Sequence, residues 1–260
     1  MTSAYKWQHD KTHDILQLSD SKTALIYTNR HSVFKHHICD IPEKGHVLTK
    51  TTAWWFNKII EKGICNTHYL YSKDNIMFVK PSRSIPFYVR VNGYNKYTRL
   101  EKPIITYILK GDVDAIITPL QIIELNMASS LDLEIIYKTV LSLYTFGREE
   151  TLIKGLIMVN SKYHFGFDTF GSIILIDDVH TTDSSRYFDL SNTKDPKKDI
   201  VKYWIKENLK SGSKVPQQLI KQASSSYTDF YKKLTGNDLE EYEYFGMSVN
   251  YTKLLNVLTC

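Results

Sequence analysis

Hydrophobic and polar positions alternate in short runs over the first third of the chain, and the period then changes. Residues Thr23–Thr28 follow the turn-forming Ser19-Asp20-Ser21 and predict a strand of a hairpin or meander. Trp55, Phe56, Ile59 and Ile60 recur at helical spacing. They predict a helix over Thr49–Lys62, with Thr49 as its cap and Gly63 as its stop. His68–Leu70 and Ile76–Lys80 predict strands around the turn Ser72–Asn75, and Phe87–Val91 and Ile104–Leu109 continue the strand pattern. From Leu131 the spacing is helical. Ser129-Ser130-Leu131-Asp132 matches a capping box, and an amphipathic helix follows to about Lys154, broken by Gly155. Leu156–Val159 and Ser172–Val179 are apolar strands with a hairpin-like Gly166–Gly171 between them, and Asp189–Lys198 is polar and loop-like. Two helices, near Asp199–Lys210 and Pro216–Leu234, close the pattern, the second stopped by Gly236. Strands first, then a mixed region, then helices imply an α+β fold in two lobes, with a boundary expected near residue 88, giving 1–88 and 89–260.

Composition narrows the class. A chain of 260 residues, 42% hydrophobic and 13% aromatic, has ample material for a core. No run approaches the roughly 20 apolar residues that span a bilayer, and the polar Met1–Asp20 lacks the apolar centre of a signal peptide. Three scattered cysteines, Cys39, Cys65 and Cys260, make no disulfide framework and fit a reducing cytoplasm. The net charge of +5 is built from 27 lysines and only 6 arginines. The lysines are dispersed and no arginine-rich run occurs, so no nucleic-acid partner is expected. Arginine is the planar fork that suits phosphate and carboxylate, so Arg30, Arg83, Arg90, Arg99, Arg148 and Arg186 each matter.

Three constellations could carry chemistry. The strongest runs from Lys162-Tyr163-His164-Phe165-Gly166 through Ile176-Asp177-Asp178-Val179 to Thr182-Asp183-Ser184-Ser185-Arg186. Paired carboxylates leaving an apolar strand are costly without a cation, and Mg²⁺ on a nucleotide phosphate is a suitable one. Two hydroxyls and a guanidinium just beyond can cradle a phosphate. The plainer reading, equally open, is that Asp177 and Asp178 cap a turn and Arg186 pairs with one of them. Secondly, Ile41–Thr49 places Lys44-Gly45 at the start of a helix, where anions bind. Thirdly, seven of nine histidines precede residue 69, but His36 and His37 would point apart in a strand, which argues against a metal site there. No Walker A loop, dinucleotide fingerprint, nucleophile elbow or zincin motif occurs.

In this order the segments resemble the phosphoribosylaminoimidazole-succinocarboxamide synthase (SAICAR synthetase) family over nearly the whole chain. Asp10–Leu16 resembles its opening hairpin, Asn29–Lys35 its D-R-x-S-A-F-D, and Ile41–Thr49 its I-P-x-K-G-x-V-L-T. Val79-Lys80 through Tyr88 sits at its V-[KR]…I-P-V-E, and Lys154 onward at K-G-[LI]-I-L-x-D-[TF]-K-x-E-F-G. The most specific match is Ile176–Tyr187 against I-D-E-V-x-T-P-D-S-S-R-[FY].

The resemblance implies an ATP-dependent carboxylate–amine ligase in the cytoplasm, with a small antiparallel β-rich lobe, a larger α/β lobe and ATP between them. It would join an aminoimidazole carboxylate ribonucleotide to aspartate through an acyl phosphate. ATP and Mg²⁺ are the implied cofactors; small molecules are the implied partners, and a homo-oligomer is compatible with the family. By the same resemblance Lys11, Lys80, Lys162 and Asp177 would meet ATP and its metal, Asp178 joining Asp177 at the metal and Lys162 and Asp177 being catalytic. Arg30, Ser32, Lys44, Gly45, Arg90, Asp183, Ser184, Ser185 and Arg186 would bind substrate, and Asp114 falls where many members are acidic. The chain departs from the pattern at Asp10, Asn29, Lys35, Tyr88, Asn92, Asn160 and His164. The apolar frame is kept while charged site positions change. That leaves open a ligase using a different acid or amine, or a noncatalytic nucleotide-binding homologue.

Overall fold

The computed structural model describes residues 7–9, 12–33, 36–95, 98–191, 201, 204, 207–208, 214–246 and 251–259. The predicted strand at Thr23 is β3 (Thr23–Tyr27). It sits at the centre of a five-stranded sheet ordered β1-β2-β3-β7-β6, with β1 Trp7–His9, β2 His13–Gln17, β6 Tyr69–Lys73 and β7 Ile76–Val79. Its buried side chains Leu16, Ala24, Ile26, Ile76 and Phe78 pack with Phe245, Leu254 and Leu258 from the C-terminal segment. A two-stranded ribbon, β4 Arg30–Val33 and β5 His36–Asp40, lies outside that sheet.

Helix α1 covers Lys44–Glu61 and so begins five residues before the expected Thr49. Thr49 is not its cap: it is buried inside the helix and its hydroxyl donates to the Gly45 carbonyl at 3.0 Å. Gly45 serves close packing, because a Cβ there would stand 2.5 Å from the carbonyl oxygen of Tyr27.

The second sheet is also antiparallel, ordered β10-β9-β8-β11-β12, with β13 on β11 as well. Its strands are β8 Arg83–Asn95, β9 Thr98–Leu109, β10 Ala115–Ile117, β11 Leu156–Phe167, β12 Ile173–Ile176 and β13 Ser185–Asp189. Short helix α2 (Pro119–Glu124) and long helix α3 (Ser130–Ile153) connect β10 to β11. The capping box forms as expected: Ser129 Oγ accepts from the Asp132 N–H at 3.1 Å, and Asp132 Oδ2 accepts from the Ser129 N–H at 2.8 Å. Leu133, Ile136, Val140, Leu143, Tyr144, Gly147 and Thr151 form its buried stripe at 3- and 4-residue spacing.

Helix α4 (Gln217–Thr235) ends at Gly236 in the left-handed region, φ +82°, as expected, and α5 covers Tyr251–Thr259. Of the helix expected near 199–210 only residues 201, 204, 207 and 208 are described, all helical.

The chain divides into two compact units. One takes the described residues of Met1–Ala53, Leu70–Lys80 and Lys197–Cys260; the other takes Trp54–Tyr69 and Pro81–Pro196. The expected boundary at residue 88 falls inside β8, whose hydrogen bonds to β9 and β11 hold it in the second unit, while the C-terminal segment supplies core to the first. Sheet pairing and core packing between distant segments, not chain continuity, define the units.

Candidate active site

β11 organises the second unit. Along it Ser161, Tyr163 and Phe165 are buried, while Asn160, Lys162 and His164 are half-buried on the other face. Antiparallel register sets Lys162 opposite Arg90 and His164 opposite Tyr88 on β8. On its other edge Asn160 meets Arg186 of β13, and His164 meets Ile176, the last residue of β12. Lys162, Arg90, Tyr88, His164 and Arg186 therefore share one sheet face, with the Asp177–Ser184 loop between the ends of β12 and β13.

That loop is tightly folded. Asp177 adopts φ +67°, tolerable for aspartate, and its Oδ1 accepts from the Asp178 N–H at 2.9 Å. The Thr181 hydroxyl donates to the Asp178 carboxylate and accepts from the N–H groups of Asp183 and Ser184 at 3.2 and 3.1 Å. Ser184 Oγ accepts from the Thr181 N–H at 3.0 Å. Within the loop the His180 side chain is fully buried: its Nε2 lies 2.8 Å from the Tyr163 hydroxyl, and Trp55 meets its ring edge-on at 4.6 Å. Burial lowers the His180 imidazole to about 3, so the ring is neutral. The Tyr187 hydroxyl donates to the His180 carbonyl at 2.5 Å, tying the loop to β13.

Above this base the charges are mixed. Burial, then the charge of Asp177, raises the Asp178 carboxyl well above the usual range. Burial, then Arg90, lowers the Lys162 ammonium, while Asp178, Asp114 and Asp183 act in the opposite direction. The Lys162 ammonium lies 5.3 Å from the centre of the Tyr88 ring. Tyr88 donates to Asp114 at 3.1 Å, accepts from Arg90 at 3.3 Å, and stacks on His164 with ring centres 5.4 Å apart. His164 Nδ1 is 3.5 Å from an Asp177 oxygen.

The donor set fits Mg²⁺. Two adjacent carboxylates, one of them raised by burial and then by the other's charge, are hard oxygen ligands whose ionised form a cation would favour. Among the described residues no three His, Cys, Asp or Glu side chains form a metal cage. Mg²⁺ needs none, since it takes one or two carboxylates and completes its shell with phosphate and water oxygens.

The structure brings together Arg90, Lys162, Asp177, Asp178, Asp183, Ser184 and Arg186. Ser185 lies on the buried side of the sheet, where its hydroxyl donates to Ser161 at 2.8 Å. The first unit holds the remaining expectations and uses several of them structurally. Arg30 forms a fork on the buried Asp14 at 2.7 and 3.3 Å, with His9 on the same carboxylate. Buried Lys44 donates to the Arg30 carbonyl at 3.1 Å, and Asn29 Oδ1 accepts from the Gly45 N–H at 3.0 Å. Ser32 is half-buried in β4 and Lys80 is exposed after β7. Lys11, with Asp10 and Lys35, lies outside the described residues. Sequence reading missed Thr181, the hub of the loop; a Thr two and three residues before polar residues is the signal of a side-chain-closed turn.

Comparison with known proteins places both the fold and the chain. The yeast (Saccharomyces cerevisiae) SAICAR synthase in complex with SAICAR superposes with a TM-score of 0.78 at 22% identity, covering 93% of this chain and 98% of that one. A SAICAR synthetase solved in complex with ADP gives 0.75 at 20% identity, covering 91% and 100%. These likenesses establish an α+β fold of the SAICAR-synthase type. The SAICAR synthetase sequence profile matches residues 6–219. The chloroplastic phosphoribosylaminoimidazole-succinocarboxamide synthase of Vigna aconitifolia is 31% identical over 76% of this chain and 69% of its own length. The chain belongs to the SAICAR synthetase family.

Proposed function

We propose that this chain is an ATP-dependent carboxylate–amine ligase, joining an aminoimidazole carboxylate ribonucleotide to aspartate. The carrying observation is the meeting of Asp177, Asp178, Lys162 and Arg90 on one face, at the segment that best matches the family pattern. A relative solved with ADP and another solved with SAICAR support the reading. Asp177 and Asp178 would hold Mg²⁺, which supplies charge neutralisation for a phosphoryl group. Lys162 is desolvated beside carboxylates, so its ammonium is placed to offset charge that develops on a transferring phosphoryl oxygen. Arg186 and Arg90 offer forks for a substrate phosphate or carboxylate. Ser184 and Thr181 keep the loop in shape, which holds the reacting groups in place.

The test is direct: supply ATP, Mg²⁺, the carboxylate ribonucleotide and aspartate, and follow ADP release. Turnover supports the reading. A repurposed ligase is favoured by one observation, the Tyr88–His164 stack, which puts two rings where the resemblance implies two carboxylates. No turnover with those substrates, but turnover with another acid–amine pair, would select the repurposed ligase. ATP binding with no ADP from any pair would select a noncatalytic homologue.

A further inference from the structure

Of the four arginines outside the face described above, Arg30 is held by Asp14 and Arg83 lies over the Phe167 ring, 4.4 Å from its centre. Arg99, near the start of β9, and Arg148, in the last turns of α3, line one pocket with Tyr94, Glu149, Leu152 and Ile157. The pocket holds about 90 Å³ and lies wholly in the second unit. Its position follows from the strands. Antiparallel register pairs Tyr94 with Arg99, and a bulge between Asn92 and Tyr94 interrupts the alternation of β8. A bulge re-aims the side chains that follow it. Tyr94 thus shares a pocket with residues of α3, the helix whose buried stripe packs on the side opposite Lys162.

The electrostatics of the pocket are unbalanced. Among the described residues neither Arg99 nor Arg148 has a carboxylate within ion-pair distance, although Glu149 lines the same pocket. Arg30, by contrast, is held in a fork by Asp14. An exposed guanidinium, Arg99, and a half-buried one, Arg148, line one concavity and give it a positive potential that an anion would meet. With Glu149 counted, the formal charge of the lining is still +1. The volume admits a phosphate group with a few further atoms, and Tyr94, Leu152 and Ile157 offer a ring and apolar surface beside it.

From this geometry we infer that the Tyr94–Arg99–Arg148 pocket is a second anion site, taking a phosphomonoester whose organic group lies against Tyr94. It is separate from the Asp177–Lys162 face and independent of the ligase reading.

The probes are inorganic phosphate and phenyl phosphate, titrated calorimetrically into the full chain at low ionic strength. All titrations use an Arg90→Gln/Arg186→Gln background, which removes the forks proposed for substrate phosphate on the other face; into it are placed Arg99→Gln, Arg148→Gln, the two together and Glu149→Gln. Thermal unfolding verifies that each is folded. The background protein is expected to bind both probes saturably, phenyl phosphate the more tightly. Loss of Arg99 and Arg148 together should weaken binding at least tenfold, and Glu149→Gln should strengthen it severalfold. Tyr94→Leu should bring phenyl phosphate down towards the affinity of inorganic phosphate. No saturable binding in the background protein, or binding that survives the loss of both Arg99 and Arg148, would overturn the assignment.

Discussion

Gly93 lies so close to Tyr144 that a Cβ at position 93 would overlap the phenolic oxygen. That hydroxyl also shares its one proton between the carbonyls of Met158 and Val159, at 2.9 and 3.1 Å. Both neighbouring strands are irregular at this place, β8 between Asn92 and Tyr94 and β11 between Met158 and Asn160. One phenol from α3 thus pins two adjoining bulges. Tyr144→Phe removes the donor from two buried carbonyls and is expected to destabilise by about 1–3 kcal/mol. Gly93→Ala is expected to cost at least as much through overpacking. Urea unfolding measures both, and a Tyr144→Phe midpoint equal to wild type would refute the pin.

Asp177→Asn should abolish ADP formation while leaving the fold intact. Asparagine keeps the Oδ1 acceptor for the Asp178 N–H and tolerates the positive φ, so only the charge is lost. ADP release under saturating Mg²⁺, read beside the thermal midpoint, separates the effects. Near-normal turnover removes Asp177 from the proposed metal site.

Arg30 tests whether an expected substrate residue is a structural one. Its removal leaves the buried Asp14 carboxylate without its fork. Arg30→Met should therefore lower stability by about 3 kcal/mol. Unchanged stability with a raised KM would restore the substrate role.

His46 makes stability depend on pH. Burial, then Lys50, lowers its imidazole from 6.5 to about 4, and it stacks on Tyr242 with ring centres 3.9 Å apart. The native state keeps the ring neutral where the unfolded chain has already taken a proton. Its contribution is complete above pH 6.5 and is lost as pH falls towards 4. His46→Phe keeps a ring for the stack and should flatten the stability profile over that window, by an amount on the order of 3 kcal/mol. A variant profile parallel to wild type would contradict this.

Local signals were legible and long-range ones were not. The Ser129 capping box, the α3 stripe and the Gly236 stop all act within one or two helical turns, and each is found where the pattern puts it. The start of α1 was misplaced because Gly45 reads as a turn residue. Its real constraint is the Tyr27 carbonyl, 18 positions earlier in the chain. Strand β13 was missed because Ser185 and Arg186 carry no apolar alternation of their own. They are ordered by pairing with β11. In the same way the carboxylate pair could be picked out from its apolar flanks, but nothing in the local sequence turns the Ser184 hydroxyl towards Thr181 or the Ser185 hydroxyl towards Ser161.

β12 and β13 dock one after the other on the same edge of β11, Ile176 opposite His164 and Ser185 opposite Ser161. Two anchor points three residues apart on one strand, about 10 Å, are bridged by the whole Asp177–Ser184 segment. The bridge can therefore change its side chains, or gain one, without re-registering a sheet that is fixed on both sides of it. The supporting strand has no such freedom: a slip of one residue in β11 would carry Lys162 to the buried face and Tyr163 into the charged one. Chemical novelty in this protein is thus cheap in the bridge and forbidden in the rail beneath it.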